Sequence, residues 1–232
     1  MKTTFLLLVV LAASMAFSQR VMPVADTSAS GSPVALSGTL TFKPTEAILS
    51  VAGQNRSARG IMAILIQMDA PPLISFRSEH DHFFKAIEIT PNSHFLVSGG
   101  AIQVPLGGNG LLNDKVVVNN GETAALEVKR VEAKAVWVQF EDGSTWGDEK
   151  EGAAMRSERV EIKAFLTHLL TVQKQSGDDA FLQELSAKQP RGSTTESMAV
   201  AFQHLIKIDG TAAMIQHVKD RLAIGASRAD KQ

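Results

Sequence analysis

Val34-Ala35-Leu36-Ser37-Gly38-Thr39-Leu40-Thr41-Phe42 shows the period that governs the first half of this chain. Val34, Leu36, Leu40 and Phe42 fall on alternate positions with Gly38 on the same side, and Ser37, Thr39 and Thr41 lie between them. Period two is the signature of a half-buried strand. Similar runs follow at Ala47 to Val51, Ile61 to Met68, Leu73 to Phe76, Phe83 to Ile89, Phe95 to Ser98, Ala101 to Val104, Lys115 to Val118, Ala124 to Lys129 and Lys134 to Phe140. Turn residues separate most of them, including Ala52-Gly53-Gln54-Asn55, Pro71-Pro72, Pro91-Asn92, Gly107-Gly108-Asn109-Gly110 and Asn119-Asn120-Gly121. No helical crossover interrupts the series, so the expected arrangement is an antiparallel β-sandwich. Ile61 to Leu65, apolar at every position, is the expected central strand.

The period changes after Trp146. Asp148, with Glu151 three residues on, is a helix start of the capping-box type, and Met155, Ile162, Phe165, Leu166, Leu169 and Leu170 trace one helical face up to Gly177. A second helix is expected from Asp178, carrying Phe181, Leu182 and Leu185 and closed by Pro190. A third opens at Ser193 and Glu196, with Met198, Phe202, Leu205 and Ile206 inward and Gly210 at its end. Thr211 caps a fourth, with Met214, Ile215, Val218 and Leu222 inward and Gly225 as its stop. The fold class is therefore α+β: a sandwich over 34–147, a helical segment over 148–225 and a frayed tail over 226–232. Whether the helices pack on the sandwich or stand apart is open at this point.

Upstream, residues 19–33 are small and polar, as in Asp26-Thr27-Ser28-Ala29-Ser30-Gly31-Ser32-Pro33, and read as a flexible leader. Residues 1–18 have the order of a secretory signal peptide: Lys2, the apolar run Phe5 to Ala13, then small residues at Ala16 and Ser18. The run is shorter than the ~20 residues that span a bilayer. A cut after Ser18 or after Ala16 fits, and an uncleaved anchor is the other reading. The chain is expected to be exported, to the periplasm or the medium.

Cysteine is absent, which removes disulfides, thiolate ligands and the lipidated cysteine of a bacterial lipoprotein. A formal net charge of −1 gives no electrostatic reason to bind nucleic acid. Tyrosine is absent and the 2 tryptophans are Trp137 and Trp146, so stacking platforms are scarce.

Few patterns carry chemistry. In Ser78-Glu79-His80-Asp81-His82 an extended backbone puts His80 and His82 on one face, where two imidazoles can hold a metal with Glu79 or Asp81 nearby and His94 as a third ligand. The alternative is a solvated loop or edge strand leading into Phe83. The acidic stretch Phe140 to Glu149 lacks the alternating oxygen ligands of a calcium loop. It reads instead as an Asp142-Gly143 turn followed by a helix N-terminus. Gly107-Gly108-Asn109-Gly110 lacks the Gly-Lys-Ser/Thr of a phosphate loop. Asn55-Arg56-Ser57 has the form of a glycosylation sequon. His168, His204 and His217 do not have metalloprotease spacing, and no serine sits in a Gly-x-Ser-x-Gly elbow.

The segment Val136-Trp137-Val138-Gln139-Phe140-Glu141-Asp142-Gly143-Ser144-Thr145-Trp146-Gly147-Asp148, running into a charged helix, resembles a segment of uncharacterised exported bacterial proteins with an immunoglobulin-like or fibronectin-like domain. The resemblance implies a β-sandwich and no particular activity. The cysteine pair of antibody domains is absent. The expectation for function is a non-enzymatic extracytoplasmic binding or structural module that needs no cofactor and meets protein partners through sandwich loops or the C-terminal helices. The alternatives are a metal-dependent hydrolase using His80 and His82, and an assembly factor acting through helices 193–225.

Overall fold

The structure is a computed structural model describing residues 20–43, 46–103, 111–112, 116–117 and 128–229. The signal peptide expected over 1–18 and the glycine-rich loop 107–110 lie outside the described residues. Among the described residues the chain is α+β: antiparallel and mixed sheets followed by three helices.

One sheet is ordered β1(Arg20–Pro23), β3(Val34–Phe42), β4(Glu46–Asn55), β7(His94–Gln103), all antiparallel. The second is ordered β11(Thr145–Gly147), β10(Glu132–Phe140), β5(Ile61–Ala70), β6(Ile74–Asp81), with β2(Ala25–Asp26) parallel to β10. A small pair, β8(Leu111–Leu112) and β9(Val116–Val117), completes the strands. Alternation in β3 is realised: Val34, Leu36, Leu40 and Phe42 are buried, and they join Leu49 and Val51 of β4, Ile64, Ile66 and Met68 of β5 and Ala133, Ala135 and Val138 of β10 in one cluster fed by both sheets.

β5 is central in its sheet, paired with β10 and β6. The unbroken apolar run Ile61 to Ile66 at its start follows from having both faces covered. Ile64, Ile66 and Met68 face the shared cluster, whereas Ala63 and Leu65 meet Trp137 and Met155. That second face belongs to the helices, α1(Glu149–Ser186), α2(Thr194–Asp209) and α3(Thr211–Ala229). Leu166, Leu169, Phe181, Phe202 and Val218 are 0–1% exposed in a cluster that also holds Met62, Phe83 and Phe84. Each such side chain stabilises by about 1.5–3 kcal/mol, so the helices are fastened to the sheet.

Several expectations are corrected. Residues 19–33, read as a flexible leader, include β1 and β2: Val24 is buried between them, and the chain passes there from the first sheet to the second. The pairing is a backbone matter, Val24 N donating to Gly38 O and Ala25 N to Val131 O, which small polar side chains do not advertise. Because β2 runs parallel to β10, the second sheet is mixed rather than purely antiparallel. Phe83 to Ile89 is not a strand. Phe83 and Phe84 are both buried at a turn, edge to face at 4.9 Å, and only Ile89 bridges back to Ile61.

The two helices expected on either side of Gly177 form one kinked element, α1, in which the backbone leaves helical geometry at Gly177 (φ 85°, ψ −176°), so the break falls where the sequence places it. Gly225 is not a stop. It is buried inside α3, where an added Cβ lies 2.5 Å from Phe84 Cε1, so glycine is there for close approach. Two of the three expected caps hold, Asp148 accepting from Lys150 N and Ser193 from Glu196 N, whereas Thr211, expected to cap the last helix, is the first residue of α3 itself.

Candidate functional site

β6 is the edge strand of its sheet, and alternation divides its side chains between two neighbourhoods. Ser78 and His80 turn towards the first sheet: Ser78 Oγ donates to Val97 O at 3.1 Å, and the His80 ring meets Phe95 edge on at 5.9 Å. Arg77, Glu79 and Asp81 turn towards α1. Arg77 forks onto Glu151 at 2.6 and 2.9 Å, which uses the carboxylate expected to close a capping box.

Asp81 meets Arg159, whose side chain is 4% exposed. Arg159 Nε donates to Asp81 Oδ2 at 2.8 Å, Nη2 to Oδ1 at 3.0 Å and Nη1 to Gln139 Oε1 at 2.6 Å, with the guanidinium 4.6 Å from the centre of the Phe83 ring. Asp81 Oδ1 also accepts from Phe83 N at 2.9 Å. One arginine thus ties α1 to β6, to β10 and to the turn that carries Phe83 and Phe84.

Beside this tie lies a cleft of about 350 Å³ between β6 and the three helices. Glu79 and Asp81 line it from β6, Phe84 and Lys85 from the following turn, Met155, Glu158 and Ile162 from α1, Thr194, Ser197, Met198, Ala201 and Phe202 from α2, and Arg221 from α3. Its volume falls in the range of small-molecule sites, ~300–1,000 Å³. A second cavity, of about 260 Å³, lies between α2 and α3 and is lined by Leu205, Asp209, Ala213, Met214 and His217.

The charges of the cleft are unevenly satisfied. Glu158 accepts from Thr194 Oγ1 at 3.2 Å. Among the described residues Glu79 accepts no hydrogen bond, and its carboxyl is pushed above the ordinary value by partial burial and then by the like charge of Glu158, against the opposing pull of Arg77. Arg221 Nε donates to His217 Nε2 at 2.8 Å, and its guanidinium lies 5.4 Å from the centre of the Phe202 ring. That contact needs His217 neutral at Nε2, and burial with the nearby Arg221 charge lowers His217 accordingly. Burial alone pushes Arg221 down. Among the described residues no carboxylate pairs with Arg221 or with Lys85.

Of the residues singled out from the sequence, Glu79 and Asp81 line the cleft, but His80 and His82 do not. His82 follows the strand, with its backbone N donating to Met62 O and its carbonyl accepting from Arg228. Its Nδ1 is buried without a hydrogen-bond partner. Burial first, then Lys85, His80 and Arg228, lowers the His82 imidazole against the opposing pull of Asp81. His94 is exposed and sits opposite Gln54 in the other sheet. Among the described residues no three His, Cys, Asp or Glu side chains gather in a way that holds a metal ion.

The acidic stretch is the β10–β11 turn: Gly143 has φ +84°, and Asp142 accepts from Ser144 N and Oγ. Asn55 of the sequon is 0% exposed, its amide donating to Arg59 O, Ile89 O and Thr90 O, so it is a buried clamp rather than an acceptor for sugar. His168 pairs with Glu184 at 3.0 Å, and His204 is exposed.

Glu158, Arg159 and Arg221 were not anticipated from the sequence. The signal for the two arginines was present: 155, 159, 162 and 166 form one stripe, and 214, 218, 221 and 225 another, with an arginine on each otherwise apolar face. A charge on a buried stripe needs a partner from elsewhere in the fold.

Compared with known proteins, the chain matches no family model, no curated protein and no solved structure. No described helix is long and apolar enough to cross a membrane.

Proposed function

We propose that this chain is an exported, non-enzymatic binding protein whose ligand site is the cleft between β6 and the three helices. The observation that carries the reading is a cleft of ligand size in which Lys85, Arg221 and Glu79 lack ion-pair partners among the described residues, beside an apolar wall. Arg221 is partly buried, and a partly desolvated charge without an ion-pair partner costs stability that a complementary ligand recovers, while Glu79 and Lys85 are exposed. The apolar faces of α2 and α3 are turned onto α1 and onto Phe83 and Phe84, so the cleft is better supported as the site than the helix faces are.

The non-enzymatic part rests on the hydrogen bonding. The Ser–His contact in this region, Ser78 Oγ with His80 Nε2 at 3.1 Å, takes its direction from the imidazole tautomer, and Val97 O, also at 3.1 Å, competes for the one hydroxyl proton. A nucleophilic serine needs that proton directed at the imidazole.

The same reading takes the two sheets as an immunoglobulin-like β-sandwich, supported by the cluster they share and by the passage of the chain from one sheet to the other at Val24. Export is supported by residues 1–18 and the absence of cysteine. Mass analysis of the chain recovered from fractionated cells checks it, and an intact Met1 in the cytosolic fraction refutes it.

The test of the cleft is a thermal-shift screen of amino acids, dipeptides, sugars and carboxylic acids against the wild type and against Ala201→Trp, which fills the cleft from an exposed position. At least one class raises the melting temperature of the wild type but not of the variant. No response, or a response that Ala201→Trp leaves unchanged, removes the reading.

A further inference from the structure

We infer that the cleft takes a small zwitterion with an apolar body, the chemistry shared by a free apolar amino acid and a small dipeptide. Its carboxylate lies at Arg221 and Lys85, and its ammonium at Glu79 and Glu158. The inference rests on the cleft being a binding site at all.

The two signs of charge come from different elements. Glu79 and Glu158 belong to β6 and α1, whereas Arg221 belongs to α3 and Lys85 to the turn after β6. They do not neutralise one another: the cation that acts on Glu79 is Arg77, and Arg221 responds to burial without an offsetting carboxylate. A simple anion would satisfy the arginine and leave two carboxylates facing each other. A simple cation would do the reverse. A molecule with one group of each sign satisfies both.

The hydrogen bonding favours the same ligand. Arg221 is anchored through Nε on His217, which leaves its two Nη groups free of any hydrogen bond among the described residues. A guanidinium fork held in this way matches the two oxygens of a carboxylate. Glu158 has one oxygen engaged by Thr194 Oγ1, and Glu79 has neither engaged. An ammonium group, with three donors, bridges such a pair. Met155, Ile162, Met198 and Phe202 supply apolar surface in the same cleft.

Size narrows the class. A volume of about 350 Å³ corresponds to roughly a dozen waters at ~30 Å³ each, hence a ligand of about nine to fifteen non-hydrogen atoms. That suits leucine, phenylalanine or alanyl-leucine. Sugars lack the charges, and phosphates meet the repulsion of Glu79 and Glu158.

The experiment is titration calorimetry on the folded chain at low salt with L-leucine, L-phenylalanine and L-alanyl-L-leucine. The controls are 4-methylpentanoate, which lacks the ammonium, and 3-methylbutylamine, which lacks the carboxylate. At least one zwitterion binds, and both single-charge analogues of leucine bind at least about tenfold more weakly than the amino acid, because each leaves a desolvated charge unpaired. Lys85→Met, at an exposed position, weakens the zwitterion several-fold and leaves the amine unchanged. Arg221→Met, checked for folding by its melt, weakens it at least about tenfold.

If 4-methylpentanoate binds as tightly as leucine, the site is an anion site: the inference falls and the cleft reading stands. If no zwitterion binds while another class binds in a way that Ala201→Trp abolishes, the division is the same. If nothing binds in the cleft, both fall.

Discussion

Replacing Arg159 by methionine tests how the helices are held to the sheet. The guanidinium makes three hydrogen bonds, two to Asp81 and one to Gln139, and its side chain is 4% exposed. Methionine keeps the stem against Phe83 but supplies none of the donors. Gln139 is 1% exposed, so water does not replace the lost partner of its Oε1, at a cost of about 1–3 kcal/mol. Asp81 keeps the bond from Phe83 N and its side chain is 24% exposed, which places it near the low end of the ~3–5 kcal/mol for breaking a buried pair.

The two losses overlap, because one arginine serves both groups. A total of about 3 kcal/mol is expected, or roughly 6–12 °C in melting temperature at ~2–4 °C per kcal/mol for a chain of this size. Urea denaturation of wild type, Arg159→Met, Asp81→Asn and the double variant measures it. Once the arginine is gone, Asp81→Asn removes an unpaired charge and costs little more, so the double variant lies at least about 1 kcal/mol above the additive sum. An Arg159→Met loss below about 1 kcal/mol, or strict additivity, refutes the account of Arg159 as the tie between helix and sheet.

Other outcomes follow from the same contacts. Gly152→Ala places a Cβ 2.2 Å from Nε1 of the wholly buried Trp137, so ~1–3 kcal/mol of overpacking outweighs the ~1 kcal/mol of helix propensity gained. The melting temperature falls by a few degrees, and a rise contradicts the packing. Glu79→Gln removes a carboxyl that is raised in the fold. Raised means that the folded chain resists ionisation, so the wild type loses stability as pH rises through that value, and the variant is the more stable of the two at pH 7. Their difference closes as pH falls towards the ordinary carboxyl value near 4.3. A difference independent of pH in urea melts contradicts this. His80, His82 and His217 are all lowered, chiefly by burial, so the unfolded chain binds more protons just below the ordinary imidazole value of about 6.5. Measured in the Glu79→Gln background, stability is full above that value and falls as pH drops below it; a flat profile from pH 7 to 5 removes the assignment.

Local signals in the sequence were read correctly where one side chain reports on its own surroundings. The alternation of Val34 to Phe42, the all-apolar Ile61 to Leu65 and the caps at Asp148 and Ser193 all depend on neighbours within a turn or one strand. What escaped depends on partners far along the chain. β1 and β2 form through backbone bonds to Gly38 and Val131, and no side-chain period marks them. Phe83 and Phe84 look like part of a strand, yet both are buried because α3 lies over them, close enough that Gly225 must lack a side chain. Gly225 looks like a stop signal for the same reason that it is a contact: the sequence shows a missing Cβ and not what fills the space.

The cleft is the extreme case of that limit. Its charged groups stand at 79, 81, 85, 158 and 221, so no spacing rule joins them, and three of the four elements involved are helices whose apolar stripes alone predict a plain bundle. Its charges nevertheless leave a trace in the sequence. Arg159 and Arg221 interrupt stripes that are otherwise apolar, and the structure gives them opposite fates: Arg159 receives Asp81 and Gln139, whereas Arg221 receives only a neutral imidazole and an aromatic face. Two arginines at equivalent positions on amphipathic helices thus separate a structural tie from a binding group by the partners the fold supplies. The difference is measurable: Arg159→Met lowers stability with or without ligand, while Arg221→Met acts chiefly on the affinity for the zwitterion.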